Sequence, residues 1–140
     1  MVNWWLDKGL AGFRVDAISY IKKNKFKDEQ INGSDGLGSI FEASANQPGI
    51  LAYLKDLKQE TFANYKIVTV AELYAEENER MQEFAGDDGP FDLVFDFRHV
   101  DLDLSEGSEW FKAREWDLVE LKERLNEIQK TYDGKRRATL

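Results

Sequence analysis

The sequence predicts an α/β fold in which parallel strands form one sheet, and three observations carry that prediction. Strand-like and helix-like stretches alternate along the 140 residues in the order strand, helix, strand, helix, strand, helix and the start of a strand. Alternation of this kind means parallel strands joined by right-handed crossovers. Lys66–Leu73 is β-branched and almost continuously apolar, the pattern expected of a strand buried on both faces of a parallel sheet. A composition of 42% hydrophobic and 33% charged residues is that of an ordinary folded chain, and the length is enough for one domain with a core.

Taken in order, Val2–Lys8 contains Trp4 and Trp5 and is followed by Gly9, as at the end of an amphipathic helix with a glycine stop. Gly12–Ile18 follows as a short apolar strand interrupted by Arg14 and Asp16. Ala17–Lys25 then reads as helical, with Ile18 and Ile21 on one side and lysines on the other. Asp28–Gln47 is polar and rich in Gly and Ser, so a long loop is expected there, and long loops in compact domains are often functional. Pro48-Gly49 opens a helix in which Ile50, Leu54 and Leu57 repeat at helical spacing.

After the strand at Lys66–Leu73, Glu76–Ala85 is a charged helix and Gly86–Pro90 a turn. Phe91–Phe97 makes a third strand. Beyond an acidic loop, Asp117 is placed to cap a helix with Glu120 as its reciprocal partner. Leu118, Leu121, Leu125, Ile128 and Tyr132 form the apolar stripe of that helix, and Glu120 and Arg124 make a favourable i,i+4 pair. Asp133-Gly134 ends it, and Arg137–Leu140 begins a further strand.

Charge narrows the partners. A formal net charge of −8 repels a phosphate backbone, so no nucleic-acid partner is expected, while neutral sugars are indifferent to it. An aromatic content of 13% with four tryptophans suits a core, and it also suits a cleft in which ring faces pack on pyranose rings. The chain has no cysteine, which removes disulfides and thiolate zinc sites and fits a reducing compartment. No secretory signal or membrane span is visible; a cytoplasmic location and no membrane partner are the expectations.

Two carboxyl groups stand out. Asp16 and Glu72 both fall toward the C-terminal ends of predicted parallel strands, where such folds place their chemistry. Glycoside hydrolysis needs two carboxyls flanking the bond, one to attack and one to donate and then remove a proton. Arg14 lies two residues before Asp16, so both side chains share a face, and its charge keeps an aspartate ionised as a nucleophile requires. Spacing alone leaves the alternatives open. Arg14 and Asp16 also suit a structural ion pair at a strand end, and Glu72 suits the first solvated residue after a buried strand. His99 is the sole histidine, so no transition-metal site is expected. Asp101, Asp103 and Glu106 read as an acidic loop, with calcium the lesser alternative because the spacing is not that of an EF-hand. Nucleotide-binding and serine-hydrolase motifs are missing from the sequence.

Trp4–Gly9 followed by Gly12-Phe13-Arg14-Val15-Asp16-Ala17-Ile18 resembles the fourth-strand motif of the alpha-amylase superfamily, in its oligo-1,6-glucosidase, glucan 1,6-alpha-glucosidase and trehalose-6-phosphate hydrolase branch. Val68–Leu73 resembles the fifth-strand motif, with Ala71 where the family usually has glycine. Asn46–Ile50 and Val94–Asp103 are similar to connecting segments of the same branch, and Asp28–Ser44 carries the least likeness.

The resemblance implies a partial (β/α)8 barrel, about strands 4 to 6 with their helices and the start of strand 7. Residues 1–140 would form a piece of the catalytic domain, with no complete second domain, since a full barrel takes about 250 residues. It also implies Asp16 as nucleophile, Glu72 as acid/base, and Arg14 and Ala17 as substrate-binding positions. No cofactor or metal is implied, and the partner is an oligosaccharide of the alpha-glucoside class. In this branch a valine after the nucleophile accompanies alpha-1,6 preference and alanine or threonine alpha-1,4, so Ala17 leaves the linkage open. The third family carboxylate would come just after Leu140, so an isolated chain of this length is expected to be inactive. The alternative reading is a non-catalytic remnant that binds sugar or associates with other chains through exposed half-barrel surfaces.

Overall fold

A computed structural model describes residues 1–24, 44–74, 78–85, 88–103, 113–134 and 138–139. The elements alternate as expected: α1 (Val2–Asp7), β1 (Gly12–Val15), α2 (Ile50–Glu60), β2 (Val68–Leu73), α3 (Asn78–Ala85), β3 (Leu93–Asp96), α4 (Leu118–Tyr132) and β4 (Ala138–Thr139). Short 3-10 turns occupy Ile18–Tyr20, Phe62–Asn64 and Val100–Asp103. The four strands form one parallel sheet in the order β1-β2-β3-β4. Among the described residues no helix is long and apolar enough to cross a membrane.

Local chemistry accounts for the boundaries. Gly9 adopts φ 91° just past α1, the left-handed geometry that stops a helix and that glycine tolerates. Gly12 opens β1 against Val68; a Cβ there would stand 1.9 Å from the Val68 carbonyl oxygen, so only glycine lets the two strands meet. Asp117 caps α4, its carboxylate accepting from the amides of Val119 and Glu120 at 2.8 and 2.9 Å.

The expected reciprocal arm of that cap is corrected. The Glu120 carboxylate instead receives the Arg114 guanidinium; Arg124 still attracts Glu120 as expected, without a direct ion pair, and also lies 4.0 Å from Glu127. The helix expected over Ala17–Lys25 is also corrected to a single 3-10 turn at Ile18–Tyr20 followed by bends. Ala17 adopts a left-handed backbone (φ 44°, ψ 41°), and one such residue cannot begin a continuous right-handed helix. Most of the loop expected over Asp28–Gln47, together with Lys25, lies outside the described residues; near its end Ala45 and Asn46 form a turn.

The core lies on one side of the sheet. Ile18, Ile50, Leu54, Phe62, Ala71, Leu73, Met81, Phe84, Phe91, Val94, Ile128 and Tyr132 are buried together, with Phe62 linking Phe13 and Phe91 at ring separations of 6.0 and 6.1 Å. Along β2 and β3 burial alternates. Thr69, Ala71, Leu73, Val94 and Asp96 face the helices, and Val68, Val70, Glu72, Leu93 and Phe95 face the other way and are less covered. The expectation that Lys66–Leu73 is buried on both faces is therefore overturned, because no described element packs on the second face. The apolar stripe of α4 is likewise buried only toward its C-terminal end: Ile128 and Tyr132 are in the core, while Leu118 is 66% exposed.

A clasp fixes the register that matters for the site. The Asp92 carboxylate accepts from both the amide and the hydroxyl of Thr69 at 2.9 Å, and the Asp92 amide donates back to the Thr69 hydroxyl at 3.1 Å. With β2 and β3 locked there, Glu72 falls opposite Phe95 and Leu73 opposite Asp96.

Candidate active site

Strands β1 and β2 each deliver one charged side chain to the open face. Arg14 projects from β1, and Glu72 is the penultimate residue of β2. Asp16 is the first turn residue past β1. One arginine joins them: its guanidinium lies 2.9 Å from the Asp16 carboxylate and donates a short hydrogen bond to the Glu72 carboxylate. Three of the four residues singled out from the sequence thus meet at the C-terminal edge of neighbouring parallel strands.

The two carboxyls sit in different surroundings. The Asp16 side chain is 74% exposed and that of Glu72 only 25%. The Glu72 pKa is raised above the ordinary glutamate value, first by partial burial and next by a hydrogen bond with the Asp16 carboxyl. Attraction to Arg14 opposes the rise without cancelling it. Two neighbouring carboxyls in unlike surroundings, one partly buried and one solvated, are set apart in their tendency to ionise.

Ala17 does not touch the pair through its side chain in any contact the structure gives. It acts through the backbone: its left-handed conformation turns the chain sharply after Asp16, and its carbonyl accepts the Tyr20 amide at 2.9 Å. That conformation costs a non-glycine residue about 1–2 kcal/mol and is worse for a β-branched one, so alanine is a better occupant than valine. Strain of this kind concentrates at functional sites.

A second layer ties the strand ends together. The Asn46 amide donates to the Ser19 carbonyl (2.9 Å), the Asn46 side chain donates to the Tyr74 carbonyl (2.8 Å), and Arg80 donates to the Asn46 carbonyl (3.2 Å). The segments following β1 and β2 are thereby bound to each other just beyond Asp16 and Glu72. Sequence reading noted Asn46 only as part of a connecting segment. Its second cue is a left-handed backbone (φ 47°), which asparagine tolerates.

Phe95 was also missed. It stands opposite Glu72, with the Arg14 guanidinium carbon 5.7 Å from its ring centroid. A cleft of about 420 Å³ between α3 and α4, lined by Glu79, Arg98, Arg124, Glu127 and Lys130 among others, lies on the helix-covered side and does not include the carboxyl pair. No group of three or more potential metal ligands occurs among the described residues, and the Glu106 of the calcium alternative lies outside them. The His99 Nδ1 is buried without a hydrogen-bond partner.

Parallel strands with helices between them and charged groups at their C-terminal edge define the α/β class, whose sites lie at that edge. Within that class the chain belongs to the alpha-amylase family: the family's "Alpha amylase, catalytic domain" matches residues 1–140. The chain is 36% identical over 140 residues to a probable oligo-1,6-glucosidase 3 of Bacillus subtilis (strain 168), covering 96% of this chain and 24% of that protein. It is 33% identical over 134 residues to an oligo-1,6-glucosidase of Bacillus cereus, covering 95% and 24%. Among solved structures, a trehalose-6-phosphate hydrolase from Bacillus licheniformis superposes with a TM-score of 0.72 at 27% identity, covering 91% of this chain and 22% of that one. The chain spans about a quarter of the length of these relatives.

Proposed function

We propose that residues 1–140 supply the nucleophile and the acid/base of a retaining hydrolase acting on alpha-glucosidic bonds of oligosaccharides, alpha-1,6, alpha-1,4 or both. The segment corresponds to about strands 4 to 6, with the start of strand 7, of a (β/α)8 catalytic domain. The observation that carries this reading is the Arg14-bridged pair, in which a solvated Asp16 adjoins the less exposed Glu72 on the next strand, whose pKa is raised. Carboxyls on neighbouring strands that share one guanidinium suit the retaining reaction, whose groups stand about 5 Å apart, better than the inverting one, which leaves room for water between them.

In this reading Asp16 attacks the anomeric carbon and forms a glycosyl ester as the glycosidic C–O bond breaks, while Glu72 gives its proton to the departing oxygen. Water then attacks the anomeric carbon of that ester, Glu72 takes up the water proton, and the bond from the anomeric carbon to the Asp16 oxygen breaks, releasing Asp16 as carboxylate. The raised pKa of Glu72 favours the acid form needed for the first half, and Arg14 holds the Asp16 carboxylate beside it.

The test is a graft. Residues 1–140 replace the matching quarter of the B. subtilis oligo-1,6-glucosidase relative, and hydrolysis of p-nitrophenyl alpha-glucoside and isomaltose is followed. Turnover is expected, with Glu72→Gln lowering kcat about 10²–10⁴-fold and Asp16→Asn at least as much. A folded graft that hydrolyses equally well with Asp16→Asn excludes the assignment.

One observation favours a second reading. Val68 is 54% exposed on a sheet face that no described element covers, as expected if the segment persists by associating with another chain. Chromatographic sizing of the 140-residue chain separates the two: a stable monomer excludes association as its role.

A further inference from the structure

The Arg14 guanidinium reaches across β2. Its backbone pairs with Val70 on β2, whereas the ring beneath it belongs to Phe95, one strand further on and opposite Glu72. The arginine is half exposed, with 50% of its side chain open to solvent, and a long cation in that state has several rotamers to lose. Two carboxylates draw it from different strands, and both are partly solvated, so Coulomb attraction alone holds it weakly. Phe95 supplies a contact of another kind: an apolar surface with a negative face, 5.7 Å from the guanidinium carbon, within cation–π range.

We propose that Phe95 is a positioning residue, whose ring holds the Arg14 guanidinium where it reaches both Asp16 and Glu72. The role assigned rests on reading those two carboxyls as the reacting pair. Phe95 has no polar group with which to bond either carboxyl, and it acts through the arginine. Removing the ring leaves the guanidinium free to swing toward solvent, and the population bridging both carboxyls falls about two- to fivefold. The groups acting on Glu72 are Arg14, from β1, and Asp16, from the turn that follows it; β3 contributes only the uncharged ring. Of the two charged groups only Arg14 favours the ionised form, so its release moves Glu72 titration upward.

Carboxyl and guanidinium NMR of the 140-residue chain tests this without requiring turnover. Phe95→Leu is expected to raise the Glu72 titration midpoint and to speed exchange of the Arg14 guanidinium protons. Phe95→Tyr, which keeps the ring, is expected to match the parent in both. A Phe95→Leu variant with parental Glu72 titration and guanidinium exchange overturns the proposal. If that variant does not fold, the unsubstituted protein decides: proximity signals and ring-current shifts between Arg14 and Phe95 support the proposal, and their absence overturns it. Because none of these readouts depends on hydrolysis, an inactive graft with an intact Arg14–Phe95 contact defeats the catalytic reading alone.

Discussion

Two arginine–carboxylate clusters sit at the C-terminal ends of adjacent strands, and they face opposite ways. On β3, Asp96 points into the helix-covered side with its side chain fully buried, and Arg98 forks onto it with its Nε at 2.9 and 3.0 Å from the two oxygens. The Arg98 backbone amide adds a further bond at 3.1 Å. On β1 and β2, Arg14 meets Asp16 and Glu72 on the open face, where all three remain partly exposed. In sequence the two look alike: Arg14-x-Asp16 and Asp96-x-Arg98. In the proposed reading the first serves a site, while the second braces a turn. What separates them is the face of the sheet, and with it access to a substrate.

The comparison breaks most visibly at Asp96. Asp96→Ala leaves Arg98, only 12% exposed at its side chain, without its carboxylate. Breaking a buried pair from one side costs about 3–5 kcal/mol. Arg98 borders an open cleft and feels the Glu127 charge, so we expect the lower end, about 3 kcal/mol, in urea unfolding. Arg14→Met on the open face is expected to change stability by less than about 1 kcal/mol, as exposed ion pairs do. Equal losses from the two variants would abolish the division between a structural and a chemical cluster.

That division was only half legible beforehand. The strands at Lys66–Leu73 and Phe91–Phe97 showed themselves through β-branched and aromatic runs, and the alternation of elements gave the parallel sheet. Asp16 and Arg14 were paired by a two-residue spacing, which the ion pair bears out. Glu72 joined them through a motif likeness, since nothing local says which strand lies beside β1. Phe95 stayed hidden for the same reason: its place opposite Glu72 depends on register, and register depends on the Thr69–Asp92 clasp, whose members are distant in sequence. The failures have similar causes. A continuously apolar strand does not say whether both of its faces are covered, and Ile18 with Ile21 fits one 3-10 turn as well as a helix. Ala17's left-handed backbone leaves no trace in hydrophobic periodicity.

The smallest expected effect is the one most specific to the open face. In the folded chain the Glu72 carboxyl holds its proton more tightly than in the unfolded chain, where it titrates near the ordinary 4.5. Binding a proton more tightly when folded means that this group adds stability below 4.5 and that the contribution is lost as pH rises through the raised folded value. At neutral pH the ionised Glu72 is therefore a net cost, set by its partial burial and by Asp16, which Arg14 does not fully offset. Glu72→Gln removes the titration while keeping the shape. We expect the variant to be more stable than the parent at pH 7, with the gain shrinking as pH falls toward 4.5. Urea unfolding of both proteins across that range measures it. A gain that does not change with pH would mean that Glu72 carries no raised pKa, and the functional contrast with the buried Asp96 cluster would then rest on geometry alone.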